Sequence, residues 1–349
     1  MFKSKTVFVI GAGASDEVDI PIGKDLTGRI SKLLDLRLDY RDLTSGDPAI
    51  LDTLRQIVSS NEDEWRNETL IPSAQHVAEA MEIAPSIDTF LETFALDKER
   101  RLLGKLGIVQ AILQAERRSK FASIEDGTRP FRMSSVTATW YVSLAQLLFT
   151  GRAADDVGRV FENTGFVVFN YDRCLQVFLA RALQVYFKIS DDQAGRIVKA
   201  ADIYHPYGSI GSIFAGPDQV SYGCDRANLA TLAGRIKLFT EALDEGDQIE
   251  RIRTLIQEAE TIIFLGFAFH DQNMKVLSRS TGKAEKKSSV KRVLATTYGV
   301  SDSDTEIIRN QIGYTLRGRP PKERDDYSIS MFRGKCAPFF AEYWRSFTA

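Results

Sequence analysis

The chain has 349 residues, of which 44% are hydrophobic and 26% charged, and its formal net charge is −2 at pH 7. This length predicts one large domain with an insertion, or two domains. The near balance of 45 basic and 47 acidic residues argues against a surface that coats nucleic acid. The sequence has no apolar run of the roughly 18 to 20 residues that span a bilayer. A strand pattern begins almost at once, so we expect no signal peptide.

Cysteine is rare and scattered. Cys174, Cys224 and Cys336 are too few for a disulfide framework, and they contain no Cys-x-x-Cys pair. This pattern excludes a structural zinc site of four thiolates. Free thiols fit a reducing cytoplasm, so we expect a cytoplasmic protein without zinc.

The first part of the chain begins as strand, tight turn and helix. Thr6 to Ile10 is a short β-branched and aromatic run, and apolar residues recur at helical spacing from Lys24 to Leu36. Between residues 37 and 150 the periodicity predicts only helices, at 51–58, 87–96, 101–117 and 135–149. A loop that contains Gly and Pro separates them at 123–130. We therefore expect a helical insertion over residues 37–150.

The strand pattern returns in the second half of the chain. Strands are predicted at 165–170, 202–207, 261–266 and, as the last one, 290–296, with helices at 172–187, 226–243 and 248–259. The basic, Ser-rich stretch 283–291 is predicted to be a solvated loop. Apolar strands separated by helices favour a parallel sheet covered on both faces. We expect an α/β fold over 1–349, with a Rossmann-like, mostly parallel sheet flanked by helices and the helical insertion within it.

A glycine-rich turn at residues 11–15 joins the first strand to the first helix. Gly11 and Gly13 permit a tight turn and let backbone N–H groups approach phosphate oxygens closely. The helix N-terminus adds a partial positive charge. The third glycine of the dinucleotide fingerprint is replaced by Asp16, and a plain strand-to-helix turn accounts for the pattern equally well.

The residues that follow this turn extend the pattern into a resemblance. Gly-Ala-Gly-Ala-Ser is followed by Asp19-Ile20-Pro21, and sirtuins have a similar Gly-Ala-Gly-x-Ser with Gly-Ile-Pro at the same interval. The Asp-Phe-Arg of the deacetylases is absent, and the Pro-x-Gly-x-x-Leu form resembles divergent bacterial sirtuin-like domains. The resemblance implies that this segment binds NAD⁺ through Gly11, Ala12, Gly13, Ser15 and Pro21.

A second motif, Phe169-Asn170-Tyr171-Asp172, ends a predicted buried strand. In a doubly wound sheet the carboxyl ends of the strands face the ligand crevice, and polar groups buried there need partners. A helix N-cap explains Asp172 but leaves Asn170 unexplained. The segment resembles the Asn-x-Asp signature of sirtuins. This implies that Asn170 lies beside the nicotinamide ribose and helps to place the attacking group, while Asp172 contributes to nicotinamide recognition.

A histidine near a strand end is the candidate general base. His205 lies two residues before Tyr207-Gly208-Ser209, and a histidine there can take a proton at neutral pH. The alternative is a structural histidine bonded to a backbone carbonyl. Sirtuins have His directly before Gly-Ser, a place that Tyr207 holds here. Since residues i and i+2 share a face of a strand, we expect His205 to reach the same crevice, and whether His205 or Tyr207 takes the base position stays open.

Two further segments resemble bacterial sirtuin-like domains. The run from Gly266 to Asn273 follows an apolar strand, and Asp271 either caps a helix or accepts hydrogen bonds from a ribose. The run from Ser86 to Leu91 resembles a Ser-Ile-Asp-x-Phe-Leu segment, in which Asp88 lines the pocket or belongs to the N-cap region of a helix. The remaining residues expected to contact NAD⁺ are Asp88, Asp172, Tyr207, Gly208, Gly266, Phe267 and Asp271.

The resemblance as a whole is to sirtuin-like domains of bacterial anti-phage defence, and it implies NAD⁺ hydrolysis to ADP-ribose and nicotinamide. Asn170 and His205 are the expected catalytic residues. The missing zinc site removes one support for deacetylation. No sensing domain is evident in the sequence, so we expect a separate sensor or partner, such as a ring-forming ATPase of the HerA type, and a homo-oligomer. The alternatives are an NAD-dependent protein deacylase or ADP-ribosyltransferase and a non-catalytic nucleotide-binding assembly subunit.

Overall fold

Six parallel strands form the central sheet of the protein. The computed structural model describes residues 2–40, 42–60, 67–122, 130–244, 246–278, 289–323 and 325–348. The strands of the sheet are β1 (Thr6–Ile10), β4 (Thr164–Val168), β5 (Asp202–Tyr204), β6 (Thr261–Leu265), β7 (Arg292–Thr296) and β8 (Ser328–Phe332). Their spatial order is β5-β4-β1-β6-β7-β8. A separate antiparallel hairpin consists of β2 (Arg37–Asp39) and β3 (Asp42–Ser45).

Helices cover both faces of the sheet. Those before β4 are α1 (Gly23–Leu34), α2 (Pro48–Ser60), α3 (Asn67–Ala80), α4 (Ile87–Thr93), α5 (Lys98–Arg118) and α6 (Trp140–Phe149). Those from β4 to β7 are α7 (Cys174–Phe187), α8 (Asp191–Lys199), α9 (Leu229–Ala233), α10 (Phe239–Asp244), α11 (Gly246–Glu258) and α12 (Asp271–Leu277). The last two are α13 (Asp302–Arg317) and α14 (Cys336–Thr348).

The central strand β1 shows how the sheet is buried. All five of its residues are buried, as are all those of β4 and β6. Alternate side chains point to opposite faces, so Val7 and Val9 pack into one core while Phe8 and Ile10 pack into the other. The strands therefore carry continuous apolar runs, as a sheet covered on both faces requires. The prediction of a Rossmann-like α/β fold with a parallel sheet is confirmed.

The carboxyl ends of three strands meet at one level. β1 pairs with β4 on one side and with β6 on the other, so that Ile10 lies opposite Val168 and Leu265. The chain builds outward from β1 through β4 to β5, and then returns to the other side of β1 at β6. Ligand crevices of open α/β sheets lie at such a reversal of strand order. The fold therefore brings the turns after β1, β4 and β6 to one place.

The region 37–150 is mostly helical, but it also contains the hairpin of β2 and β3, where we expected no strand. These strands have three and four residues and lie largely exposed, so they carry no apolar alternation that sequence periodicity detects. The helix α5 packs against α1 and α3. The predicted loop at 123–130 lies outside the described residues except for Pro130, and most of the predicted loop at 283–291 does so as well.

Two other expectations from the sequence were wrong. The helix predicted over 226–243 is two helices, α9 and α10, because the segment between them bonds elsewhere: the Lys237 N–H donates to the Tyr207 carbonyl. The strand predicted to be the last, β7, is followed by β8, a half-exposed edge strand. The final 70 residues thus add a strand, and Phe340 of α14 stacks on Phe8 with ring centroids 6.3 Å apart.

Candidate functional site

A cavity of about 400 Å³ opens at the carboxyl ends of β1, β4 and β6. It brings together segments that are far apart in the sequence: the turn after β1, the start of α4, the connection from β4 to α7, the turn after β5 and the connection from β6 to α12. Of the residues predicted to form the site, those that line it are Gly11, Ala12, Pro21, Asp88, Asn170, Asp172, Tyr207, Phe267 and Asp271. The predicted residues that do not line it are Gly13, Ser15, His205, Gly208 and Gly266.

The glycines of the first turn are explained by packing against the turn after β6. A Cβ atom on Gly11 would lie 2.6 Å from the Gly266 carbonyl oxygen, and one on Gly266 would lie 2.1 Å from the Ala14 nitrogen. Gly266 also has φ +53°, which favours glycine. The N–H of Gly13 donates to the Gly266 carbonyl oxygen at 2.9 Å. The glycines thus let two backbones touch, and the Gly13 N–H is not available to a phosphate.

Ala12 presents the backbone of this turn to the cavity. Within the described part of the chain, its N–H has no hydrogen-bond acceptor, whereas the N–H groups of Gly11, Ala14 and Ser15 donate to backbone carbonyls. Ala12 also lines the cavity. Among the described residues of this turn, the backbone N–H of Ala12 is therefore the one that remains available to bind a phosphate.

Asn170 has a buried oxygen that finds no partner among the described residues. Its side-chain amide donates to the Gly11 carbonyl oxygen at 3.1 Å and to Ser15 Oγ at 3.0 Å. Its Oδ1 atom is buried and accepts no hydrogen bond from these residues, and the residue is only 6% exposed. A buried acceptor left unsatisfied costs about 1 to 3 kcal/mol. A ligand or a water that donates to Oδ1 in the cavity would recover that free energy.

Ser15 and Asp172 hold Asn170 in place. Ser15 Oγ accepts from Asn170 and donates to Asp172 Oδ2 at 2.9 Å. The other oxygen, Asp172 Oδ1, accepts the N–H of Cys174 at 3.0 Å at the start of α7. Asp172 therefore binds the first N–H of that helix from the position before its N-cap residue, Arg173. Both oxygens of its carboxylate are occupied, so Asp172 shapes the cavity wall and orders the Ser15 hydroxyl.

His205 lies behind the cavity wall. Its Nδ1–H donates to the Asn170 carbonyl oxygen at 3.1 Å, and its Nε2 accepts from the Gln176 amide at 2.6 Å. This tautomer follows from the carbonyl, which can only accept. Burial lowers the pKa of His205 below its ordinary value, so the ring is neutral. Strand β5 ends at Tyr204, and the turn that follows breaks the alternation on which we based the expectation that His205 faces the crevice.

Tyr207 lines the cavity, whereas His205 does not. Its hydroxyl donates to Asn273 Oδ1 at 2.6 Å. Burial raises the pKa of Tyr207 far above its ordinary value, so the phenol keeps its proton and is no base near neutral pH. Gly208 follows at φ +73°, packed against the Arg235 carbonyl oxygen, where a Cβ atom would lie 2.0 Å away. Tyr207 is thus a wall residue with a fixed orientation.

Asp88 faces the cavity from the first turn of α4. Its Oδ1 accepts the hydroxyl of Tyr171 at 2.5 Å. Burial raises the pKa of Asp88, and the hydrogen bond from Tyr171 opposes that rise in part. The N-cap of α4 is Ser86, whose Oγ accepts the Thr89 N–H at 3.1 Å. Asp88 therefore does not cap the helix and belongs to the cavity.

Aromatic and acidic side chains account for eight of the residues that line the cavity. The aromatic residues are Phe169, Tyr171, Tyr207, Phe239 and Phe267, and the acidic ones are Asp88, Asp172 and Asp271. Among the described residues, no Lys or Arg lines the cavity. Phe169 meets Phe267 edge to face with ring centroids 5.0 Å apart. Aromatic faces and carboxylates both attract a cation, so the cavity suits a ligand that carries positive charge on a flat ring.

Most of these aromatic residues were missed from the sequence. Phe169 and Tyr171 flank Asn170, and this adjacency was a usable signal. Phe239 comes from α10, and Ile112 comes from the middle of α5. No local pattern connects these two residues to the site, because only the packing of distant helices brings them to it.

The described residues offer no metal site. No group of three or more His, Cys, Asp or Glu side chains there is arranged to hold a metal ion. Cys174, Cys224 and Cys336 are free thiols. The absence of zinc stays a prediction. Over the described ranges, no helix is both long enough and apolar enough to cross a membrane.

Comparison with models of protein families gives a match to part of the chain. The family model described as a SIR2-like domain matches residues 164–316, from β4 to α13, a range that includes Asn170, Tyr207 and Gly266. No curated protein matches the chain. The SIR2-like family includes NAD-dependent enzymes, so the match supports an NAD-related activity in general. The turn after β1 lies outside the matched range, but the sheet joins it to the same cavity. Residues 164–316 are therefore similar to a SIR2-like domain, and this range contributes Asn170 and Tyr207 to the cavity.

Proposed function

We propose that this chain is an NAD⁺ glycohydrolase, which converts NAD⁺ and water to ADP-ribose and nicotinamide. The observation that carries the proposal is the buried, unpartnered Oδ1 of Asn170 at the wall of a SIR2-like crevice. A fixed acceptor without a donor is what a ribose hydroxyl or an attacking water needs. Asn170 is held for this task by Gly11 and Ser15.

The chemistry of the lining supports this choice of substrate. The nicotinamide ring of NAD⁺ carries a positive charge, and aromatic faces attract such a ring by about 0.5 to 2 kcal/mol each. Tyr171, Phe239 and Phe267 supply aromatic side chains, and Asp88 supplies a carboxylate. We expect the nicotinamide riboside half to occupy this cavity, while the pyrophosphate lies toward the N–H of Ala12.

The reaction breaks the bond between C1′ of the ribose and the nicotinamide nitrogen. The electron pair of that bond leaves with the nicotinamide, and positive charge develops on the ribose. The Asp88 carboxylate stabilises that charge and takes the proton that water loses as its oxygen bonds to C1′. The raised pKa of Asp88 favours this proton transfer.

His205 keeps a role in this scheme, but as a positioning residue. Its bond to the Asn170 carbonyl fixes the backbone that carries the Asn170 side chain. Tyr207 orients Asn273 and closes the wall. In this scheme the Asp88 carboxylate accepts the proton, whereas the resemblance to sirtuins implied the imidazole of His205 as the base.

We place this activity in anti-phage defence. An activated NADase depletes cellular NAD⁺ and stops phage propagation, and the support for this role is the resemblance of the sequence motifs to bacterial defence domains. A homo-oligomer and a partner such as a HerA-type ATPase are part of the proposal. In this proposal the partner senses the infection and activates the NADase.

A second function has one observation in its favour. Neither ring nitrogen of His205 is free to face the cavity, which is the arrangement expected of a non-catalytic nucleotide-binding subunit. A deacylase or ADP-ribosyltransferase would differ from both in requiring an acyl-lysine peptide or another acceptor.

Quantifying nicotinamide release from NAD⁺ separates these functions. The assay compares the wild-type protein with Asn170→Ala and with Asn310→Ala, a control on α13 that lies outside the cavity lining. We expect hydrolysis without any peptide, a loss of about 100-fold or more in Asn170→Ala and no change in Asn310→Ala. Turnover that appears only with an acyl-lysine peptide indicates a deacylase. Equal turnover by both variants contradicts the role of Asn170.

A further inference from the structure

The cavity at the carboxyl ends of β1, β4 and β6 carries negative charge that no cation balances among the described residues. Asp88, Asp172 and Asp271 line it, and no described Lys or Arg does so. The hydrogen-bond donors to these carboxylates are all neutral: the Tyr171 hydroxyl for Asp88, the Ser15 hydroxyl and the Cys174 N–H for Asp172, and the Gln311 amide for Asp271. Since field lines concentrate in a concave site, this cavity attracts cations.

A fourth carboxylate lies one helical turn from Asp88. Glu92 follows Asp88 at the i+4 position of α4, so the two side chains lie on one face of the helix. Glu92 Oε2 accepts from the Gln272 amide, and Glu92 Oε1 is buried without a hydrogen-bond partner among the described residues. The cation near Glu92 is Lys275, which does not line the cavity. His270, which gains positive charge when it is protonated, faces Asp88 and lines the cavity.

The negative charge of Asp88 reaches two aromatic walls of the cavity. Burial raises the pKa of Tyr171 well above its ordinary value, and the charge of Asp88 raises it further. Burial also raises the pKa of Tyr207, and the charges of Asp88 and Glu92 add to that rise. Tyr171 follows β4 and Tyr207 follows β5, so the field of Asp88 acts on two separate walls. A flat cation in the cavity therefore meets the attraction of carboxylates as well as that of aromatic rings.

The proposed reaction removes the charge on which this attraction depends. NAD⁺ enters with a positively charged ring. When the bond between C1′ and the ring nitrogen breaks, its electron pair stays on that nitrogen, and the nicotinamide that forms is neutral. A neutral ring has no net charge for the carboxylates to attract, and it loses the cation–π attraction as well. The product is therefore held less strongly than the substrate ring was.

We propose that the cavity selects its ligands by the charge of the ring: it binds pyridinium rings with an uncharged carboxamide, and it releases the neutral nicotinamide formed from them. Asp88 determines this selectivity. A ring with a carboxylate in place of the carboxamide, as in nicotinic acid adenine dinucleotide, is disfavoured because like charges repel at close range. The selectivity rests on the charges of the cavity alone, whereas its role in product release rests on the proposed function.

Three ring compounds without ribose or phosphate test the selectivity. 1-Methylnicotinamide is a cation, nicotinamide is neutral, and 1-methylnicotinate carries a carboxylate on its positive ring. Ligand-observed NMR measures their dissociation constants in the absence of NAD⁺. We expect the wild type to bind 1-methylnicotinamide at least about tenfold more tightly than either of the others.

A matched pair of variants assigns this preference to Asp88. Asp88→Asn should reduce it at least about threefold, while Asp155→Asn, at an exposed position outside the cavity lining, should leave it unchanged. Equal binding of 1-methylnicotinamide and nicotinamide by the wild type, or a preference that Asp88→Asn retains in full, overturns the proposal.

Inhibition of NAD⁺ turnover by the same compounds tests the role in product release. We expect 1-methylnicotinamide to inhibit at concentrations about tenfold below those that nicotinamide requires. Nicotinic acid adenine dinucleotide should have a kcat/KM about tenfold or more below that of NAD⁺. Nicotinamide that inhibits as strongly as 1-methylnicotinamide contradicts charge-dependent release. If the protein does not turn over NAD⁺, the proposed function fails, while the dissociation constants still decide whether the cavity selects cations.

Discussion

The ion pair between Glu116 and Arg173 is withdrawn almost completely from water, with the two residues 0% and 1% exposed. Arg173 Nε donates to Glu116 Oε1 at 3.0 Å, and Glu116 Oε2 accepts the N–H of Gly223 at 2.9 Å. Arg173 also donates to the carbonyls of Val220 and Ser221. The pair thus ties α5 to the start of α7 and to the loop 220–223, directly beside Asp172.

Removing one partner of this pair leaves a buried charge without its counterion, and we expect a large loss of stability. Replacement of one member of a buried pair costs about 3 to 5 kcal/mol, so Glu116→Gln should lower the free energy of unfolding by that amount. The exposed pair Arg196–Asp192, with side chains 68% and 75% exposed, is the matched control. There Asp192→Asn should cost about 0 to 1 kcal/mol.

Urea denaturation of both variants, followed by circular dichroism, measures this difference. The double variant Glu116→Leu/Arg173→Met removes both charges and should be more stable than Glu116→Gln, because no charge is then left unpaired. A loss below about 1 kcal/mol in Glu116→Gln would refute the claim that this pair holds the loop against α7.

Three further outcomes follow from single contacts. In urea melts, Gly266→Ala should destabilise the protein by several kcal/mol because its Cβ would lie 2.1 Å from a backbone nitrogen, whereas Gly28→Ala, in open space within α1, should stabilise it by about 0.5 to 1 kcal/mol. Burial raises the pKa of Asp88 in the folded protein, so the free energy of unfolding of the wild type falls as the pH rises through that pKa and the carboxyl group becomes charged. Asp88→Asn should therefore be more stable than the wild type at pH 7, and this difference should disappear in melts at pH 3. Tyr207→Phe should keep NAD⁺ turnover within about tenfold of the wild type with an unshifted pH profile, and a loss of about 1,000-fold would reinstate Tyr207 as a proton-transfer group.

The parts of the fold that carry strong periodicity were predictable from the sequence. The strands β1, β4 and β6, which have no polar residue after their first threonine, indicated a buried parallel sheet. The glycine turn, Asn170 and the segment from Phe267 to Asp271 follow directly on those strands. The general rule that ligands bind at the carboxyl ends of such strands then placed these residues in one crevice. The cavity is lined by Gly11 and Ala12 of that turn, by Asn170, and by Phe267, Ala268, His270 and Asp271.

The orientation of individual side chains was not predictable. Whether His205 or Tyr207 faces the cavity depends on where β5 ends, and a three-residue strand gives no periodic signal for its end. The packing of Gly11 and Gly13 against the turn after β6 was not predictable either, because Gly266, which they contact, is more than 250 positions away in the chain. The hairpin of β2 and β3 was missed because its strands have three and four residues, too few for a periodic signal. The edge strand β8 was missed although Ser328 to Met331 alternate between polar and apolar residues, because the alternation covers only four residues.

Product analysis of NAD⁺ incubated in oxygen-18 water tests the central claim most directly. The purified chain is assayed alone and with the proposed HerA-type ATPase partner, and Asn170→Ala is assayed beside it. The account predicts equal amounts of nicotinamide and ADP-ribose, with one oxygen-18 atom in the ADP-ribose, and a yield of both products that is lower by about 100-fold or more with Asn170→Ala. Intact NAD⁺ under both conditions, or products that Asn170→Ala forms equally well, would contradict it.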